Sequence, residues 1–191
     1  MEAQTRRRMV ADDRRAQIVD AATRLISSVG YRQFTIAGLA RECGLTRAGV
    51  LHHFPSREDI LLAVLTARDD NDAAAVMSGA DGPGDARTML DLLVRRNMTQ
   101  PEIVRLYTVL SAEALDPQHP AHAYFTRRFE RAVAMLAELL AGSDRPGREL
   151  AIEVHSYMDG LQLSWLRDPG IDFAGQWAAF ADDLFARHRL A

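Results

Sequence analysis

Apolar residues recur along almost the whole chain three to four positions apart, the spacing that lines one face of a helix. Ile18, Ala21, Ala22, Leu25 and Ile26 form one such stripe, Ile60, Val64 and Leu65 a second, and Leu136, Leu139 and Leu140 a third. No segment alternates apolar and polar residues in the way a half-buried strand requires. Helix breakers fall between the stripes, at Gly30, Gly44, Pro55, Gly79 to Gly84, Pro101, Pro117 to Pro120, Gly142 to Gly147 and Asp168-Pro169-Gly170. The pattern predicts an all-α protein of about nine helices.

Local signals sharpen the first third of the chain. A first helix is expected from about Asp12 to Val29, closed by Gly30, which takes a left-handed conformation at no steric cost. Thr35 is placed to cap a short helix over residues 36 to 43, and Gly44 ends it. Thr46 is placed to cap a third helix from Arg47 to about His53. Pro55 and Ser56 stop the chain again, and Ser56 with Asp59 forms a variant of the capping box that starts a fourth helix at Arg57.

Two short helices joined by a tight glycine turn describe a helix-turn-helix. On the third helix Leu45 and Val50 are expected to face inward with Leu39, Ala40 and Phe54. That leaves Arg47, Ala48, His52 and His53 on the outside. Small residues next to hydrogen-bonding ones let a helix backbone approach the base edges of a major groove. The N-terminal amides of the Ser56-capped helix, with Arg57, suit a phosphate.

Charge supports that reading. Residues 1 to 68 hold eleven arginines and seven acids, +4, whereas residues 69 to 191 hold twelve arginines and nineteen acids, −7. A basic head on an acidic body points to a polyanion bound by the head alone. All 23 basic residues are arginine, which reflects a GC-rich genome more than phosphate chemistry, although arginine does suit paired hydrogen bonds to a phosphate.

The helix expected over residues 147 to 167 has an apolar stripe at Leu150, Val154, Tyr157, Met158, Leu161 and Trp165, and a second at Ala151, Ile152, His155, Leu163 and Leu166. The last helix carries a bulky stripe, Phe173, Trp177, Phe180 and Leu184, and a small one, Ala174, Ala178 and Ala181. Helices apolar on two sides need two neighbours. The second neighbour is either a partner chain or another part of the same core. Between these elements and the head, Met89, Leu93, Met98, Tyr107, Leu110, Phe125, Phe129, Met135 and Met158 could line an adaptable apolar cavity. Arg96, Glu113, His155 and Asp159 are the polar candidates within it.

The ordered residues Arg15, Ile18, Ala21, Leu25-Ile26, Gly30-Tyr31, Phe34-Thr35-Ile36, Leu39-Ala40, Gly44-Leu45-Thr46 and His53-Phe54-Pro55-Ser56-Arg57-Glu58 resemble the tetracycline-repressor (TetR) family of bacterial transcription regulators. The match covers about a quarter of the chain. The family usually has a tyrosine where this chain has Leu51, and that tyrosine commonly contacts a phosphate.

The resemblance implies a helix-turn-helix DNA-binding domain over residues 1–56 and a larger ligand-binding and dimerisation domain over residues 57–191, with the fourth helix connecting them. It implies a homodimer on a pseudo-palindromic operator in double-stranded DNA. Arg47, Ala48, Gly49 and His52 would contact bases, and Thr35, Thr46, His53 and Arg57 phosphates, with Arg6 to Arg8 along the backbone. A small-molecule effector would occupy a pocket drawn from Arg96, Met98, Tyr107, Leu110, Glu113, Phe125, Phe129, His155, Met158 and Asp159. The last two helices would pair across a twofold axis through Leu161, Trp165, Phe173, Trp177, Phe180 and Leu184. Binding of the effector would release a repressed operator.

Other classes fit less well. An enzyme or a metal-binding helical protein is the alternative. No nucleophile with its base is recognisable, however, and the glycines of residues 81 to 84 lack the Lys-Ser or Lys-Thr that follows a phosphate-binding loop. His119 and His122 have a metal-ligand spacing without further donors nearby, and His52 and His53 point to different sides of a helix. Neither a metal nor a cofactor is expected. A DNA-compacting protein would need a basic body. The single Cys43 is expected as a small buried hydrophobe. No membrane span and no signal peptide are expected, which points to the cytoplasm.

Overall fold

The computed structural model describes the backbone of residues 2–79 and 85–190 and the side chains of residues 13–72, 74 and 85–190. The glycine-containing segment 81 to 84 and the side chains of Arg6 to Arg8 therefore lie outside the described residues. Regular structure among the described residues is helical throughout: α1 (Glu2–Val29), α2 (Ile36–Glu42), α3 (Arg47–His53), α4 (Arg57–Gly79), α5 (Ala86–Met98), α6 (Pro101–Glu113), α7 (His122–Leu139), α8 (Gly147–Arg167) and α9 (Phe173–His188). The first helix starts ten residues before the expected Asp12, because nothing in that segment is a glycine or proline and Glu, Ala, Gln, Arg and Met all favour a helix.

The chain divides into two compact units, Met1–Asp72 and Ala73–Ala191. In the first, α1 packs on α2 and α2 on α3. Ile18, Ala22, Ile26, Phe34, Leu39, Val50, Phe54 and Ile60 are buried there. The turn between α2 and α3 is closed by Gly44 at φ 63°, with the Leu45 N–H donating to the Ala40 carbonyl over 2.8 Å. This is the helix-ending geometry that a left-handed glycine permits, and it fixes where α3 leaves α2.

In the second unit α8 packs against α6, α7 and α9, while α5 packs against α6 and α9. One apolar cluster joins Leu90, Val94, Val133, Leu136, Leu150, Val154, Phe173, Trp177 and Leu184. The Trp177 indole N–H donates to Asp91 Oδ1 over 2.6 Å, and Arg87 bonds both Asp91 and Asp182, fastening α9 to α5. Tyr157 and Phe180 stack with centroids 3.7 Å apart, and the Tyr157 hydroxyl donates to the Gln176 carbonyl.

This packing engages much of the expected dimer face inside the protomer. Leu161, Phe173, Trp177 and Leu184 are buried within the protomer's own unit, and Trp165 and Phe180 are only partly exposed. Within the protomer the bulky stripe of α9 meets α5 and α8, where the Trp177 ring fills the gap between those helices and its N–H finds a carboxylate. The outward positions are Ile152, Ser156, Gly160 and Leu163 on α8 and Ala174 and Ala179 on α9.

Candidate nucleic-acid interface and effector region

The sequence of α3 explains its placement. Thr46 caps it, its Oγ1 accepting from the Gly49 N–H over 3.0 Å, while Val50 is fully buried and pins one face to the core. Thr35 caps α2 in the same way, accepting from the Gly38 N–H over 3.1 Å. The opposite face of α3 is left to solvent: Arg47, Ala48 and His52 are exposed, and Gly49, Leu51 and His53 are half-exposed. One turn of helix thus presents a guanidinium, a methyl group and an imidazole outward. Both threonine oxygens accept at the caps and keep their hydroxyl hydrogens to donate to an anion.

Ser56 and Asp59 form a reciprocal pair at the start of α4. The Asp59 N–H donates to Ser56 Oγ over 3.0 Å, and that hydroxyl donates to Asp59 Oδ2 over 2.7 Å. Arg57, expected as a phosphate contact, meets neighbouring residues of its own unit. Its guanidinium lies 4.0 Å from the centroid of the Tyr31 ring and donates to the Tyr31 carbonyl, so it is drawn back onto the α1–α2 connection. Arg15 makes a similar arrangement on the other side, 4.1 Å over Phe54 and donating to the His53 carbonyl. The sequence pattern contains both arginines and both rings but not their pairing, which spans 26 and 39 positions of the chain.

The environment of His53 lowers its imidazole below the ordinary 6.5, first through burial and then through the neighbouring charges of His52, Arg15 and Arg14. The folded head therefore takes up this proton less readily than the unfolded chain. Stability from this group is complete above pH 6.5 and is lost as pH falls below it towards the lowered value. Titration of the His53 ring by nuclear magnetic resonance should give a midpoint below 6.5, and a midpoint above it would contradict this environment.

Cys43 is half-buried rather than sealed, at the rim of an open depression lined by Arg14, Gln17, Arg24 and Glu42. Burial, then Glu42, raises its pKa, which keeps the sulfur a thiol.

In the second unit, part of the expected effector set comes together where α7 meets α8 and α6 lies alongside. Tyr107 and Phe125 meet edge to face at 5.9 Å, Phe129 and His155 at 5.2 Å, and His155 Nδ1 lies 3.3 Å from Asp159 Oδ2. Leu110 and Met158 are buried, and Glu113 ends α6. Arg96 and Met98 sit in the last turn of α5, with Met98 exposed. Two residues that sequence reasoning missed belong to this group. The Tyr124 hydroxyl is 3.4 Å from that of Tyr107, and the Arg128 guanidinium lies 4.9 Å over the Tyr107 ring. Their spacing of four on α7, which places both on one face, was the available signal.

His119 and His122 are used by the loop that holds them. The Ala121 N–H donates to His119 Nδ1 over 3.2 Å, and His122 Nδ1 lies 2.8 Å from the Ala114 carbonyl. No group of three or more metal-binding side chains occurs among the described residues, and no described helix is long and apolar enough to cross a membrane.

Residues 18–64 match the family model for bacterial regulatory proteins of the tetR family. The chain is 31% identical over 156 residues to the HTH-type transcriptional regulator BetI of Rhizobium meliloti, covering 78% of this chain and 76% of that protein. Among solved structures, a transcriptional regulator from Rhodococcus sp. Rha1 superposes with a TM-score of 0.79 at 16% identity, over 93% of this chain and 98% of the other. A second, from Saccharomonospora viridis and solved in complex with choline, gives a TM-score of 0.77 at 23% identity over 94% and 98%.

Proposed function

Since the chain belongs to the tetR family of helix-turn-helix transcriptional regulators, we propose that it acts in the cytoplasm as a homodimeric repressor whose two α3 helices enter successive major grooves of an inverted-repeat operator. The observation that carries this reading is the outward face of a capped, core-pinned α3: Arg47, Ala48 and His52 exposed, with Val50 buried behind them. Arg47 and His52 are assigned to base edges, with Ala48 and Gly49 allowing close approach. The hydroxyls of Thr35 and Thr46 and the His53 ring are assigned to phosphates. Arg57 contributes charge at the surface while its guanidinium stays on Tyr31. Functionally, residues 1–56 are the reading head, and residues 57–191 carry effector binding and dimerisation.

The dimer is assigned to the outward stripe of α8, where Ile152, Ser156, Gly160 and Leu163 recur at helical spacing. Leu163→Asp should give a monomer by light scattering that keeps its helical circular dichroism. A dimer that persists would move the interface elsewhere.

The effector is assigned to the rings and acids around α6, α7 and α8. The ring of Phe129 with carboxylates at Glu113 and Asp159 suits an organic cation, while Tyr107 already holds one in the Arg128 guanidinium. The choline held by the Saccharomonospora viridis relative is of that class. A selection of random duplexes by the full-length protein tests the whole reading. It should yield an inverted repeat that choline or a bulkier quaternary ammonium releases. Enrichment without release would overturn the effector class, and no enrichment would overturn the DNA-reading role.

A further inference from the structure

The structure contains two arginines that the reading of α3 has not used as contacts, and one of them holds α3 itself. Arg15 lies on α1 one turn before Ile18, whose side chain is wholly buried, so its starting point is rigid. Its guanidinium carbon is 4.1 Å from the centroid of Phe54, and it donates to the carbonyl of His53. Phe54 is buried in turn, and its N–H donates to the Val50 carbonyl over 2.9 Å. His53 is the last residue of α3 and carries one of the carbonyls that a helix end leaves without a partner. One planar group thus satisfies that carbonyl while its flat side rests on the ring that anchors the same turn. The next ring in the chain, His52, stands against His53 with centroids 5.4 Å apart. The outward imidazole thus stands against the ring of the residue whose carbonyl Arg15 holds.

We propose that Arg15 is a positioning residue of the reading helix, which fixes the C-terminal turn of α3 on Phe54 so that His52 meets its base pair in a single orientation. The inference rests on the DNA-reading role proposed above. Lysine cannot replace arginine here, because an ammonium has no flat side to stack while it donates sideways. The role assigned to this guanidinium is on a carbonyl and a ring rather than on a phosphate, so it predicts a salt dependence of binding that does not change with the substitution.

The full-length protein, Arg15→Lys and Arg15→Met are compared on the duplex that the wild-type protein selects from a random library, and on its single-base variants. Both substitutions should lower discrimination at the base pairs facing His52 about tenfold and leave it intact elsewhere, with the salt slope unchanged. The loss should not add to that of His52→Ala. A slope that falls by about one in Arg15→Met but not in Arg15→Lys would mark a phosphate contact and overturn the assignment. Unchanged discrimination in both variants, with a lowered melting temperature, would reduce Arg15 to packing alone. A wild-type protein that enriches no sequence removes the DNA-reading role, and this inference with it.

Discussion

Replacing Ala48 by glutamate should abolish operator binding while leaving the fold intact. Ala48 is the second residue of α3 and is exposed. A carboxylate there meets only solvent in the free protein, and it sits in the first turn of a helix, where negative charge is mildly favourable. Against a groove walled by phosphates the same carboxylate brings like charges together without water between them, which costs several kcal/mol. A loss of about 3 kcal/mol is already more than a hundredfold in affinity. Fluorescence anisotropy on the selected duplex, paired with a thermal melt by circular dichroism, separates the two effects. Binding within a few-fold of wild type would mean that this face of α3 is not turned towards DNA.

The second large effect concerns the acidic unit. Trp177→Ala should cost about 3–5 kcal/mol, because it leaves a void where the ring is 2% exposed and packed against the α5 and α8 side chains. Native domains are stable by only about 5–15 kcal/mol, so this single change should bring the unit close to unfolding at room temperature. Trp177→Phe keeps most of the ring but removes the bond to Asp91. Its cost should be smaller, about 1 kcal/mol, since Arg87 still holds that carboxylate over 3.1 Å. Thermal melts order the three proteins as wild type, Phe and Ala. A Trp177→Ala protein that melts like wild type but sediments as a monomer would put the indole at a subunit interface after all.

The two halves of the chain differed in how far their sequence could be read. The caps at Thr35, Thr46 and Ser56 were legible because each joins a side chain to a backbone group three residues on, and the turn at Gly44 because a left-handed residue there favours glycine. These short-range signals place α2 and α3, and with them the exposed face of Arg47, Ala48 and His52. The start of α1 was not legible, since a run without a breaker contains no boundary to find. The ring contact of Arg57 was not legible because cation and ring meet only after folding: nothing at positions 31 and 57 says that a guanidinium will lie on Tyr31. The α9 stripe shows another limit. Periodicity reports that Phe173, Trp177 and Leu184 share a buried face, but a helix in its own core and a helix against a second chain have the same pattern. The contact from Trp177 to Asp91 within the protomer, 86 positions apart, is what the pattern alone does not show.

The central claim is that α3 of the basic unit reads DNA sequence, and recovery of genomic fragments tests it most directly. Sheared DNA is incubated with the full-length protein or with its Ala48→Glu variant at about 0.15 M salt, where non-specific attraction is weakened. Sequencing the retained fragments should show one short inverted repeat enriched by the wild-type protein and absent from the variant. Retention of unrelated sequences, or the same repeat recovered by both proteins, would contradict it.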